Sequence, residues 1–132
     1  MDICLDTNVF TSNPDFLEWI SKNDIKAYLP SVAYMELSYY QMKKVGGSMV
    51  KFIQALGSLG IEVVPFDKGL ALVCARNALS GHDLSINARD YAIGAYSYKR
   101  KIPMITNNKK HFKWLSDVYT PAEFMQKHKP GA

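Results

Sequence analysis

The chain has 132 residues, with 16 Lys and Arg against 12 Asp and Glu for a formal charge of +4, and only two Cys. Its length fits one domain, and a composition of 48% hydrophobic and 21% charged residues excludes a disordered chain, a collagen-like repeat and a disulfide scaffold. No apolar run approaches the roughly 18–20 residues needed to span a bilayer. Asp2 and Asp6 stand where a secretory signal needs basic residues and then an apolar stretch, so a compact cytoplasmic protein with no membrane contact is expected.

Residues 2–5 read as a short strand ending in the turn-forming Asp6-Thr7-Asn8. Asn13-Pro14 supplies a cap and first helical position for a helix over residues 15–21. A second strand covers 26–29 and stops at Pro30. Ser31 then caps a helix to Lys44 with Val32, Met35, Tyr39 and Met42 on one face. Gly46-Gly47 breaks that helix, and another runs over 48–59, closed by Gly60. IEVVP at 61–65 is a near-continuous apolar strand of the kind found in buried parallel sheets. Asp67 caps a helix to Leu79, Gly81 ends it, and Asp83 or Ser85 opens a further helix to Lys99. The strand PMIT follows at 103–106, then NNKKHFKWL, a small strand at 117–119 and a helical turn after Thr120-Pro121. Parallel neighbours need crossover connections, so strands alternating with helices indicate a parallel sheet covered on both faces. The expected fold class is a three-layer α/β domain over residues 1–127, with a frayed tail at 128–132. Its central parallel sheet would have about four to five strands flanked by helices.

Cys4 and Cys74 lie in apolar surroundings, DICLD and LALVCAR, with no C-x-x-C spacing and no neighbouring His pair, which reads as two buried thiols. His82, His111 and His128 form no H-x-x-x-H pattern, so zinc is not expected.

Ligands of open parallel sheets bind at the carboxyl ends of strands, which draws attention to Asp6 after the first strand and Asn107-Asn108 after PMIT. Two further acids break a hydrophobic pattern. At about 100° per residue from Ile86, Asp90 falls at about 40°, beside Ile93 and Ser97 in the apolar stripe. Counting from Val32 puts Glu36 at about 40°, between Tyr39 and Tyr40. Each acid has an ordinary alternative: Asp6 as the cap of a turn, Glu36 reaching solvent from the edge of its stripe, Asp90 paired with a basic residue. Arg89, the neighbour of Asp90, is expected to point about 100° away. If the acids converge, each pair at about 4 Å costs roughly 4 kcal/mol at an effective dielectric of 20, so they must be partly protonated or neutralised by a divalent cation. An all-oxygen set suits Mg²⁺ or Mn²⁺, hard ions that also bind phosphate oxygens, and a phosphoester substrate is implied.

LDTNVF at the first strand end, the helical YMEL, INARDYAIGAYSYKRKIPMITNN and the following KKHF together resemble the PIN-domain ribonucleases, particularly the small VapC-type toxins. The resemblance covers nearly the whole chain and implies a Mg²⁺- or Mn²⁺-dependent endoribonuclease that hydrolyses RNA phosphodiesters by metal-activated water. It places the four acidic positions of the family on Asp6, Glu36, Asp90 and Asn108. Asp6 and Asp90 would be metal ligands, with Glu36 and Asn108 as further ligand positions, Thr106 a supporting hydroxyl and Asn8 a supporting polar residue. Asn108 is an amide where the family pattern has a carboxylate; it offers an oxygen but no charge, so a second metal would bind more weakly. One-metal and two-metal chemistry both remain open. The resemblance also implies an antitoxin that covers the site.

With the three acids set aside, nine acidic residues remain against 16 basic ones, a balance of +7. A negative pocket within a basic surface suits a polyanion. Lys99, Arg100 and Lys101 before PMIT, and Lys109, Lys110, His111 and Lys113 after it, are the candidate RNA-phosphate contacts, and Tyr39, Tyr40, Tyr96 and Tyr98 the candidate base-stacking residues. YMELSYYQM is apolar nearly all round, which fits burial in a homodimer or under a partner's helix. The alternatives are a non-catalytic PIN domain that binds RNA or a protein partner, a phosphatase, and a receiver-type phosphoacceptor. Asn8 stands where the phosphatase D-x-D needs its second Asp, and the receiver's N-terminal acidic pair is missing.

Overall fold

A computed structural model describes residues 1–44 and 49–128 of the chain. Five short strands form one sheet: β1 (Asp2–Leu5), β2 (Lys26–Pro30), β3 (Ile61–Val64), β4 (Met104–Ile105) and β5 (Val118–Tyr119). Their spatial order is β3-β2-β1-β4-β5 and every neighbouring pair is parallel. The helices are α1 (Thr7–Ser12), α2 (Pro14–Lys22), α3 (Ser31–Lys44), α4 (Val50–Ser58), α5 (Lys68–Leu79), α6 (Leu84–Arg100) and α7 (Pro121–Lys127), with a 3-10 turn at Lys109–Phe112. The parallel α/β architecture agrees with the expectation from sequence. No helix among the described residues is long and apolar enough to cross a membrane.

The central strand β1 explains the apolar DICL: Ile3, Cys4 and Leu5 are fully buried, as a strand with neighbours on both sides and helices over its faces requires. Helix α6 packs on β1 and β2, with Ile93 in the main core, and α5 packs on α6 through Leu70, Cys74, Tyr91 and Ala95. Phe16 and Trp19 of α2 meet Phe124 of α7 as an aromatic cluster. Cys4 and Cys74 are both buried and free, and burial pushes both thiols above their ordinary pKa.

Several local expectations need correction. Thr7–Ser12 is a helix, not merely a turn, with Asp6 as its N-cap accepting from the Thr7 N–H. Asn13 precedes α2 without a side-chain cap bond, and Pro30 belongs to β2, so strand and helix join directly at Ser31. On α3 the core-facing residues are Ala33 and Leu37, whereas Met35, Tyr39 and Met42 are exposed. Ile86 is 81% exposed while Ile93 is buried, because non-helical torsions at Asn87 kink α6 between them. The Gly46-Gly47 break, the start of the fourth helix at residue 48 and residues 129–132 of the tail lie outside the described residues.

The sheet order fixes where a site can form. From β1 the chain proceeds outward through β2 to β3, then returns to the other side of β1 with β4 and β5. The order reverses between β1 and β4, and the crevice beyond their carboxyl ends is where open parallel sheets receive ligands. Asp6 and Thr106, immediately after these strands, stand there.

Candidate functional site

Asp6 is set in place by the backbone. It follows β1, caps α1 and is 1% exposed. Its Oδ1 accepts from the Thr7 N–H at 2.7 Å, and its Oδ2 accepts from the Thr106 hydroxyl at 2.8 Å and the Asn8 amide at 3.3 Å. A carboxylate this deep needs such donors, since desolvation without them costs several kcal/mol, roughly. The turn-capping role and the placement beside other acids therefore hold together.

Thr106 and Asn8 tie the β4 end to the β1 end. The Thr106 hydroxyl also accepts from the Asn108 N–H at 3.0 Å, and Asn8 Oδ1 accepts from the Asn107 N–H at 3.1 Å. Asn107 donates to Asn13 at 2.6 Å, which gives Asn13 a role other than capping. Asn108 starts the 3-10 turn without a side-chain cap bond and lines the cleft with Asn8, Glu36 and Asp90. This cleft has a volume of about 470 Å³.

Glu36 comes from α3 and Asp90 from α6, so the three acids arrive on separate elements. They meet through Arg89. Its Nε and Nη2 form a fork on Glu36 at 2.6 and 2.8 Å, Nη1 reaches Asp90 Oδ1 at 2.7 Å, and Nη2 lies 3.3 Å from Asp6 Oδ1. The expectation that Arg89 points away is thus wrong: the long side chain swings back across the helix face to the acids. The Thr7 hydroxyl donates to Glu36 at 2.6 Å. Burial alone would raise the Glu36 pKa, but the bonds from Arg89 and Thr7 and the guanidinium charge hold it below the ordinary value. Burial likewise opposes the charge on Arg89, and the acids outweigh it and raise its pKa.

The donor set is what a hard divalent ion takes: carboxylate and amide oxygens, without thiol. Three carboxylates against one guanidinium leave a formal surplus of two negative charges, which a divalent ion matches. No three His, Cys, Asp or Glu side chains among the described residues already enclose an ion-sized space, since the acids converge on Arg89 and not on one another. The residues fit a metal by chemistry and charge, provided the guanidinium gives way.

Around Asp90 the surface turns basic. His111 Nδ1 is 3.6 Å from Asp90 Oδ2, and a second cleft of about 300 Å³ beside it is lined by His82, Lys110, Lys113 and Trp114. Lys109 is paired with Glu123 at 3.1 Å. Lys99, Arg100 and Lys101 lie elsewhere. From Asp90 to Arg100 the helix rises about 15 Å, and Arg100 binds Asp2, at the amino end of β1, at 2.9 Å while lying over the rings of Tyr28 and Tyr96. Lys99 reaches the first turn of α5 near Gly69, and Lys101 lines a separate cleft with Ser97 and Leu115. Tyr40 borders the acid cleft; Tyr96 is taken by Arg100, and Tyr98 packs on Trp114. Trp114 was not singled out from sequence and His82 only as part of an absent zinc pattern, because only the fold brings the loop before α6 to the segment after β4.

The PIN domain family model matches residues 3–117. No curated protein matches the chain by sequence. Among solved structures, a chain of the DNA-bound VapBC complex of Salmonella typhimurium is similar with a TM-score of 0.68 at 19% identity, covering 92% of this chain and 98% of that one. A chain of a toxin-antitoxin complex from Klebsiella pneumoniae gives 0.69 at 18% identity, with 90% and 97% covered. FitAcB from Neisseria gonorrhoeae gives 0.65 at 22% identity, with 91% and 98% covered. These likenesses establish a common fold. The family match takes in β1 from Ile3 through β4, all three acids and the segment after β4, ending just before β5, and by it the chain belongs to the PIN domain family.

Proposed function

We propose that the protein is a Mg²⁺- or Mn²⁺-dependent endoribonuclease, acting in the cytoplasm as the toxin of a toxin-antitoxin pair. The observation that carries the reading is the convergence of Asp6, Glu36 and Asp90, from three separate elements, on the one guanidinium of Arg89 beyond the carboxyl end of β1. Asp6 and Asp90 would hold the metal, with Asn108 adding a neutral oxygen. A bound divalent ion would supply a low-pKa water and stabilise charge on the phosphoryl oxygens. Glu36, the most exposed of the three acids at 25%, would position the attacking water or take its proton. Thr106 and Asn8 fix the rotamer of Asp6 through their bonds to Oδ2. Lys110, Lys113 and His111 border the basic cleft next to Asp90 and contact the phosphates beside the scissile one. Lys99, Arg100 and Lys101 lie away from this cleft and would meet only phosphates farther along the RNA.

Partner proteins are supported by the surface and by the similar structures, which are described as VapBC and toxin-antitoxin complexes. An apolar groove of about 360 Å³, lined by Phe10, Leu17, Leu37, Phe52 and Leu56, fits a helix of an antitoxin. Exposed Met35, Tyr39 and Met42 of α3 suit a homodimer contact.

A labelled RNA with single-stranded loops, incubated with Mg²⁺, Mn²⁺ or EDTA, tests the activity. Cleavage should need the metal and fall at least about a hundredfold in Asp6→Asn and Asp90→Asn. Metal-independent cutting, or cutting that survives both substitutions, sinks the mechanism. The reading of a domain that binds RNA without cutting it is favoured by one observation, the ion pairing of Arg89 with all three acids; RNA bound but uncut under every metal condition would establish it.

A further inference from the structure

We propose that Arg89 is a resident counter-ion that competes with the divalent metal for the same carboxylate oxygens, so that metal binding and release of Arg89 are one linked step. This rests on the reading of the acids as a metal site. Of the six oxygens of Asp6, Glu36 and Asp90, four face the guanidinium: both of Glu36, Oδ1 of Asp6 and Oδ1 of Asp90. The other two are Asp6 Oδ2, bonded by Thr106 and Asn8, and Asp90 Oδ2, which faces His111. Asp6 Oδ2 already accepts from two donors, so an ion held between Asp6 and Asp90 must take the place that Arg89 occupies on Asp6 Oδ1. A guanidinium and a divalent cation cannot share that oxygen without bringing like charges together.

Release is sterically open. The Arg89 side chain is 41% exposed and lines the acid cleft, so it can leave toward solvent without disturbing the core beneath α6. In the metal-free chain it serves a purpose of its own. Asp6 is fixed by Thr106 and the α1 N-terminus and Glu36 by Thr7, and Arg89 bridges both to Asp90, which offsets the repulsion among the three carboxylates and orders them. The consequence is a site whose apparent metal affinity is reduced by the free energy of displacing its own cation.

The test is Mn²⁺ binding by the full chain, read by loss of the free-ion electron paramagnetic resonance signal and by calorimetry, with thermal unfolding in parallel. Arg89→Gln should bind Mn²⁺ about tenfold more tightly than the unsubstituted chain. Without metal it should unfold at a lower temperature, and it should gain more from added Mn²⁺. Arg89→Lys keeps the charge but cannot fork across three acids; it should fall between the two and carries the test if Arg89→Gln fails to fold. Equal or weaker Mn²⁺ binding by the folded variants overturns the competition while leaving the metal site standing. If neither the unsubstituted chain nor the variants bind Mn²⁺, the metal reading itself fails, and the proposal with it.

Discussion

Thr106 shows how much one hydroxyl can hold. Fully buried, it donates to Asp6 and accepts from the Asn108 N–H. Thr106→Val keeps the shape and strands both partners, so stability should fall by about 1–3 kcal/mol in urea unfolding. Glu36 supplies a pH signature. Its folded pKa lies below the ordinary 4.5, so its contribution to stability is complete above that value and is lost as pH falls through the lower, folded pKa. The stability difference between the unsubstituted chain and Glu36→Gln should be flat from neutral pH to about 5 and shrink in more acid solution; a difference that grows with acid would reverse the sign. The acids themselves were legible in the sequence because carboxylates break an apolar stripe. Arg89 was not, since a helical projection tracks Cβ directions while a guanidinium on a long flexible stem reaches well beyond its own.

Among the elements, α6 was legible in extent but not in what its ends do. Its register put Asp90 at the site, yet its length carries Lys99 to Lys101 away from Asn108, to which they are near only in sequence. Gly94 lies in the middle of this helix, where an added Cβ would meet the Trp114 ring at 2.7 Å and Leu115 at 3.2 Å. Gly94→Ala should therefore cost about 1–3 kcal/mol by overpacking, despite the better helix propensity of Ala, and loosen the segment that carries Lys110 and Lys113; thermal unfolding would show it. At α7 the sequence signal was explicit: Thr120 and Glu123 form a reciprocal capping box. Thr120→Ala should lose about 1 kcal/mol in urea unfolding. Helix α1 escaped notice because TNVFTS has only six residues and weak propensity, and is held by its Asp6 cap and its packing on α2 and α3. On α3 the Met and Tyr residues at helical spacing suggested a core stripe, while the smaller Ala33 and Leu37 fill the space against the sheet.

At the scale of the molecule, the alternation of strands and helices in the sequence implied parallel crossovers, and the β3-β2-β1-β4-β5 order turns that into a location. Strand order itself was not readable, since it depends on which edges pair and not on the pattern within any strand. Charge follows the same plan. A chain of formal +4 gathers three carboxylates in one crevice, places Lys110, His111 and Lys113 beside them and ties Arg100 to Asp2 at the opposite end of the sheet. The central claim is that this crevice binds a divalent cation on Asp6 and Asp90. Diffraction at the manganese absorption edge, from crystals of the full chain grown in millimolar Mn²⁺, tests it directly. The account predicts an anomalous peak between those two carboxylates with Arg89 turned away from them; the absence of a peak there, with Arg89 still bonded to all three acids, would contradict it.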